Sequence, residues 1–115
     1  MKRKKFVPSN QEHVITEIWR NSVKKIIATS KAPAAVGPYS QGYQVNDTLY
    51  VSGQIPFVPE TMQLVSPDVS EQTLQSLKNI QAIVDAAGFS LIDIVKCQVF
   101  LKSMDDFAAV NAVYA

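Results

Sequence analysis

The sequence predicts an α+β domain in which two helices pack on one face of a sheet. Short β-type runs dominate the chain before Pro67, and an amphipathic helical period replaces them after it. A further β run and a second helical pattern then follow, so the expected element order is β-β-β-α-β-α. With 115 residues, of which 47% are hydrophobic and 18% charged, the chain is typical of an ordinary globular protein with one modest core.

The first three elements are short strands separated by turn-forming residues. The run 23–29 predicts the first strand, and the runs 42–45 and 48–53 predict the next two. Asn46-Asp47 separates the last two runs, and both residue types tolerate positive φ, which favours a two-residue hairpin turn. Two prolines downstream remove backbone donors and should end this part of the sheet.

The fourth element is a helix with a signal at each end. Asp68 is placed to cap its start with Glu71 three residues on, and Gly88 is placed to end it in a left-handed conformation. Between them, apolar residues recur with helical spacing at Leu77, Ile80, Val84 and Ala87. This pattern predicts a helix that buries one stripe against the sheet.

The last two elements are a strand and a second helix. Side chains alternate along 94–101, which predicts a strand with Cys97 on one face as a small core residue. Ser103 is placed to cap the helix that follows, with two aspartates near its N-terminal dipole. The apolar stripe of this helix consists of Phe107, Val110 and Tyr114.

Residues 1–22 form a basic extension in front of the domain 23–115. Residues 1–25 carry seven Lys/Arg and two acids, whereas residues 26–115 carry four lysines and eight acids. Three interpretations remain open: a solvated tail, a nucleic-acid footprint, or a helix from Ser9 or Asn10 to Arg20 that docks through Ile18 and Trp19. We also expect that translation can begin at Val23, because Trp19-Arg20 can encode a ribosome-binding sequence at a suitable distance upstream.

The residue inventory excludes several classes of site. Cys97 is the only cysteine, so the chain forms no internal disulfide and no paired-cysteine zinc site. His13 and both arginines precede Val23, so the domain itself contains no histidine for a catalytic triad or a metal site. The glycines are too far apart for a phosphate loop, and no apolar run is long enough to span a membrane. A soluble cytoplasmic protein without a bound metal is the expectation.

Two segments remain as candidates for chemistry. The turn-forming loop 37–41 carries the aromatic hydroxyl of Tyr39, and the stretch 51–55 places Ser52 and Gly53 at the end of a strand. Polar groups on loops beside a rigid sheet are where binding sites concentrate. The alternative is that Tyr39 only packs and Ser52 only bonds to backbone.

Four motifs, in order, resemble the reactive-intermediate deaminase family of the RidA/YjgF type, within the endoribonuclease L-PSP superfamily. The first runs from Thr29 through Ala32-Pro33 to Gly37-Pro38-Tyr39-Ser40-Gln41, and the second is Val51-Ser52-Gly53-Gln54-Ile55-Pro56. The third lies within the predicted helix and runs from Gln75-Ser76-Leu77-Lys78-Asn79-Ile80 to Ala86-Ala87-Gly88. The fourth is Asp106-Phe107, followed by Val110-Asn111 and Tyr114. The likeness extends from about Val23 to Ala115.

This resemblance implies a homotrimer of chorismate-mutase-like subunits, each with a mixed β-sheet and two helices on one face. Clefts between the subunits would hydrolyse 2-imino or enamine acids, such as 2-aminoacrylate, to 2-keto acids and ammonia without a cofactor. By the same motifs, Tyr39 and Ser52 would be catalytic, and Gly53 and Asn111 would bind substrate. No membrane is expected as partner, because the apolar runs are only a few residues long. A nucleic acid is not expected either, because the acidic body would repel phosphate.

The sequence also departs from the family pattern. Members of the family continue past the second helix into an arginine-bearing strand that clamps the substrate carboxylate, and then into a last strand with an acidic residue. We expect these final strands to be absent from this chain, and a lysine lacks the bidentate geometry of arginine. The alternative to a deaminase is therefore a catalytically impaired member that acts as a small-molecule-binding or regulatory subunit.

Overall fold

The computed structural model describes residues 23–115. They form a three-stranded sheet, a small hairpin and two helices, which confirms the α+β class. The expectations for residues 1–22, including the docked helix and the internal start, lie outside the described residues.

The three predicted N-terminal strands form one antiparallel sheet. Strands β1 (Lys24–Ile27), β2 (Gly42–Val45) and β3 (Thr48–Val51) lie in the order 1-2-3. Val45 pairs with Thr48, so two residues make the turn, and Asn46 adopts a φ of 51°. The predicted hairpin is therefore confirmed, with asparagine as the residue that takes the left-handed conformation.

A second, smaller hairpin was not predicted from the sequence. Strands β4 (Phe57–Val58) and β5 (Gln63–Leu64) are two residues long each and pair with one another in an antiparallel manner. Met62 adopts a φ of 56°, and its amide donates to the carbonyl of Val58 at 2.8 Å. Proline does interrupt the first sheet, as expected, but the chain resumes β pairing immediately afterwards.

Helix α1 (Val69–Ala86) follows, and its predicted ends are confirmed. The Asp68 carboxylate accepts from the Glu71 amide at 3.0 Å, which satisfies one of the free N-terminal donors. Gly88 adopts a φ of 82°, and its amide donates to Asp85 while that of Phe89 donates to Val84. This pair of bonds is the Schellman arrangement that ends many helices.

The core lies between the sheet and α1. Ile27, Ala32 and Ile83 are buried and in contact with one another. Of the predicted stripe on α1 only Val84 is fully buried, whereas Ile83 and Asn79 are the two largest side chains that are completely enclosed. The helix therefore faces the sheet along a line one residue away from the predicted stripe.

Helix α2 (Phe107–Tyr114) packs against α1. A 3₁₀ turn at Met104–Asp106 precedes it, and the Ser103 hydroxyl accepts from the Asp105 amide at 3.2 Å, so the predicted cap is present. Val110 is buried, but Phe107 and Tyr114 are about half exposed. The stripe on this helix is thus only partly covered by the described residues.

The predicted strand 94–101 is not formed, and the placement of Cys97 in the core is wrong. A 3₁₀ turn at Leu91–Asp93 leads into this stretch, which has no regular secondary structure and pairs with no other described strand. Val95 is 98% exposed, and the Cys97 thiol is also exposed. Side-chain alternation describes a strand's two faces, whereas the strand itself needs a hydrogen-bonded neighbour, and residues 23–115 supply none here.

Within residues 23–115, neither helix is both long enough and apolar enough to cross a membrane. All strand pairings in the same stretch are antiparallel.

Candidate functional site

The loop that carries Tyr39 is built on a glycine and a tight turn. Gly37 has a φ of 121°, which side-chain-bearing residues rarely adopt. The Tyr39 amide donates to the Gly37 carbonyl at 2.9 Å, closing a three-residue turn over Pro38. The Tyr39 hydroxyl accepts from the Val36 amide at 3.4 Å, and the ring remains about half exposed. The loop therefore presents an aromatic ring at its surface from a constrained backbone.

Ser52 joins this loop to the end of β3 through two hydrogen bonds. Its hydroxyl donates to the carbonyl of Ser40 at 2.5 Å, and its amide donates to the carbonyl of Gln41 at 3.0 Å. Because its proton is used in this bond, the hydroxyl oxygen is free to accept a further hydrogen bond. Ser52 is thus suited to orient a donor such as water, and residues 23–115 contain no histidine that could activate it as a nucleophile.

Gly53 lies at the open side of this junction. No atom lies within 4 Å of the position that a Cβ would occupy there. Apart from its two chain neighbours, the backbone at Gly53 is therefore open on the side where a side chain would project. The Gln54 side-chain amide donates to the Ser52 carbonyl at 3.1 Å, and this hydrogen bond stabilises the turn.

A cavity of about 420 Å³ lies next to the Tyr39 loop. Its walls combine the apolar residues of β1 with hydroxyl groups from the loops on either side. The lining residues include Ile26, Ile27, Thr29, Ser30, Tyr39 and Ser40. It is a depression that is largely open to solvent rather than an enclosed pocket. Ser52 does not line this cavity, but the Ser52 hydroxyl donates to the carbonyl of Ser40, which is one of the lining residues.

Asn111 lies in a different place from the other predicted site residues. It lines a second cavity of about 330 Å³, between α2 and residues 99–104, whose other walls are mostly apolar. The two cavities share no lining residue. Within a single chain, the Ser40 carbonyl links Ser52 to the Tyr39 loop, whereas Ser52 and Gly53 do not line the cavity beside Tyr39 and Asn111 lies apart from all three.

Tyr114 borders the second cavity and interacts with Cys97. A hydrogen bond with the Cys97 thiol is the largest of the causes that raise the pKa of the Tyr114 hydroxyl above its ordinary value of 10.0. The phenol is therefore protonated at neutral pH and remains a hydrogen-bond donor or acceptor.

Two buried amides near the site were not singled out by the sequence analysis. Asn79 is 1% exposed and donates to the carbonyls of Ile55 and Phe57, at 3.2 and 3.0 Å. It fixes the chain just beyond the Ser52 turn to helix α1. A polar residue four positions before the buried Ile83, on the same helix face, is the sequence signal that indicates such a role. The other amide, that of Gln41, lies inside the first motif.

Residues 23–115 contain no group of three or more metal-ligating side chains close enough to hold a metal ion. They also contain no arginine, so no guanidinium from this stretch can pair with a substrate carboxylate.

Comparison with known proteins identifies relatives that match about four-fifths of this chain. The family model "Endoribonuclease L-PSP" matches residues 29–115. A 2-iminobutanoate/2-iminopropanoate deaminase from Salmonella typhimurium is 53% identical over 92 residues, which cover 80% of this chain and 71% of the relative. A RutC family protein from Pyrococcus horikoshii is 48% identical over 93 residues, covering 81% of this chain and 74% of the relative.

Solved structures show the same relationship. The crystal structure of the YjgF gene product of Escherichia coli has a TM-score of 0.76 and 52% identity, covering 78% of this chain and 70% of that one. The structure of TdcF from the same organism, with bound serine, has a TM-score of 0.76 and 48% identity over the same shares of the two chains. These likenesses confirm the fold type that the four motifs indicate.

Proposed function

This chain belongs to the endoribonuclease L-PSP family, and we propose that it acts on 2-imino and enamine acids as the deaminases of that family do. The reaction would add water across the C=N bond of an imino acid. Ammonia then leaves, and a 2-keto acid remains. The structural support is the hydrogen bond from the Ser52 hydroxyl to the Ser40 carbonyl, which links the matched motif that contains Tyr39 to the matched motif that contains Ser52 and Gly53.

The residues of this junction suit the needs of that reaction. Water must be held close to the imine carbon, and the Ser52 hydroxyl oxygen is an acceptor whose own proton is already used. Negative charge must be stabilised by donors, and the backbone at Gly53 is sterically open to a ligand. Tyr39 would cover the apolar side chain of the substrate with its ring. No residue in this scheme needs a cofactor.

We further propose that the working site lies between copies of this chain in a homotrimer. Ile26, Tyr43 and Tyr50 are in register across the three strands and form an exposed apolar row on the face of the sheet that α1 leaves uncovered. An exposed apolar row of this kind favours association. Sedimentation analysis at several concentrations tests the stoichiometry.

A second candidate function is a subunit that binds the same ligands without turning them over. The absence of arginine from residues 23–115 favours it, because a guanidinium fork on a carboxylate contributes about 1.5–3 kcal/mol as a charged hydrogen bond. Both candidates place the ligand on the same three residues, Tyr39, Ser52 and Gly53.

One experiment separates the two candidates. The loss of 2-iminobutanoate, generated enzymatically from an amino acid and trapped with semicarbazide, is measured with and without the 115-residue chain. Acceleration that is lost in Ser52→Ala supports the deaminase. No acceleration, together with saturable binding of 2-oxobutanoate, supports the binding subunit. Neither acceleration nor binding refutes both. Gln44→Met, on the same sheet but remote from Ser52 in register, is the matched control.

A further inference from the structure

Gln41 is a buried amide that links three segments of the chain. It immediately precedes β2 and is only 5% exposed. Its side-chain oxygen accepts from the Thr29 amide at 2.7 Å. Its side-chain nitrogen lies within hydrogen-bond distance of three carbonyls, those of Thr29, Ala32 and Pro33, at 3.1, 3.2 and 2.7 Å. An amide nitrogen has two protons, so one of them is shared between two of these carbonyls.

The main chain around Gln41 makes the other half of the link. The Gln41 carbonyl accepts from the Ser52 amide at 3.0 Å, and the adjacent Ser40 carbonyl accepts from the Ser52 hydroxyl. The side chain thus fixes residues 29–33, while the backbone on either side fixes Ser52. Tyr39 lies two residues before Gln41 on the same loop. Movement of Gln41 would therefore move the Ser52 oxygen and the Tyr39 ring together.

We propose that Gln41 is a positioning residue of the imino-acid site, which acts by setting the place of the Ser52 hydroxyl. This inference rests on the proposed function for its ligand. An apolar side chain of the same length would leave the Thr29 amide and three carbonyls without their partner in a nearly closed site. These groups would move to find water, and the backbone that holds Ser52 would move with them.

The alternative is that Gln41 only stabilises the fold. Both interpretations predict a lower melting temperature for a Gln41 variant, so stability alone does not decide between them. A positioning role also predicts that the effect on ligand binding depends on Ser52. Two residues that act through one contact give non-additive effects, whereas independent residues give additive ones.

The test uses the full chain with 2-oxobutanoate as the probe, well below the melting temperature of each variant. Gln41→Met is expected to weaken binding about tenfold, which corresponds to about 1.4 kcal/mol, because the backbone that holds the Ser52 hydroxyl shifts when the buried partners of Gln41 are lost. Gln44→Met is the control, because its amide bonds only locally, to the Asn46 carbonyl, and is exposed to solvent. In a Ser52→Ala background, Gln41→Met is expected to have little further effect.

A second variant and a second measurement keep the test decisive. If Gln41→Met does not fold, Gln41→Asn replaces it, since the shorter amide keeps a neutral polar group in the buried site but is one methylene too short to reach all of the same partners. Amide hydrogen exchange of Ser52 relative to the β2–β3 ladder is measured in every variant. Faster exchange confined to Ser52 is expected for the Gln41 variants and not for Gln44→Met.

Two results would overturn the proposal. One is unchanged binding in the folded Gln41 variants, and the other is a loss of binding that simply adds to that of Ser52→Ala. If the unmodified chain neither binds 2-oxobutanoate nor accelerates the loss of 2-iminobutanoate, the proposed function fails. Positioning of Ser52 by Gln41 is then judged by the exchange measurement, and an unchanged exchange rate of the Ser52 amide in the Gln41 variants rejects it.

Discussion

Replacement of Gly42 by alanine is expected to push the sheet and helix α1 slightly apart and to lower the melting temperature. A Cβ at this position would lie 2.9 Å from Cγ2 of Ile83 and 3.3 Å from Cβ of Ile27. Both neighbours belong to the buried core, and Ile83 has no exposed surface. The new methyl group therefore has no open space to enter.

The size of the effect follows from these distances. Carbon atoms in contact prefer a separation of about 3.5–4.0 Å, so at least one of the two elements must shift by several tenths of an ångström. Overpacking of this kind costs about 1–3 kcal/mol in well-packed cores. Each kcal/mol lowers the melting temperature of a domain of this size by about 4–8 °C. Gly42→Ala should therefore melt well below the unmodified chain.

Gly53→Ala is the matched control for this measurement. Its Cβ would meet no atom within 4 Å, and its φ lies outside the left-handed region. The same substitution there should stabilise the chain by about 0.4–1 kcal/mol, because alanine reduces the entropy of the unfolded state. Thermal unfolding followed by circular dichroism compares the two variants. A third variant, Ile83→Ala, removes the atom that clashes, and Gly42→Ala should cost much less in that background.

Two outcomes would refute this account of the core. The first is an equal melting temperature for Gly42→Ala and Gly53→Ala. The second is a cost of Gly42→Ala that does not change when Ile83 is already alanine, since this would place the clash elsewhere.

Three further predictions concern other parts of the chain. Asn79→Leu should lower the free energy of unfolding by about 1–3 kcal/mol in denaturant titrations, because two loop carbonyls lose their buried donor; no change in midpoint would contradict this. Cys97→Ala should lower the pKa of Tyr114 toward its ordinary value, as followed by NMR titration of the ring, and an unchanged titration would show that the thiol is not the cause. Intact-mass measurement on protein from the native host should find a species that starts at position 23, and a single mass that includes residues 2–22 would reject the internal start.

The parts of the fold that are encoded locally could be predicted from the sequence. Asp68 and Gly88 act on neighbouring backbone groups, so the ends of α1 follow from a few adjacent residues. The Asn46 turn is equally local. The segment 94–101 differs, because its strand character depends on a partner elsewhere, which alternation within the segment does not reveal.

The site shows the same distinction. Tyr39 and Ser52 are recognisable as motif residues, and the antiparallel pairing of β2 with β3 brings their loops together. The roles of Gln41 and Asn79 are set by carbonyls up to 24 residues away in the chain, so no local pattern predicts their partners. Asn111 belongs to the same family motif set, yet within residues 23–115 it lines a separate cavity.

Titration of the isotope-labelled chain with 2-oxobutanoate tests the central claim most directly. The claim is that the Tyr39 loop and the Ser52-Gly53 turn form one binding site for the carbon skeleton of an imino acid. Backbone amide shifts are expected to change together, with one saturation curve, in residues 37–41 and 52–54, and to disappear in Ser52→Ala but not in Gln44→Met. Shifts confined to the second cavity, around Phe107 and Tyr114, or no saturable shifts at all, would contradict it.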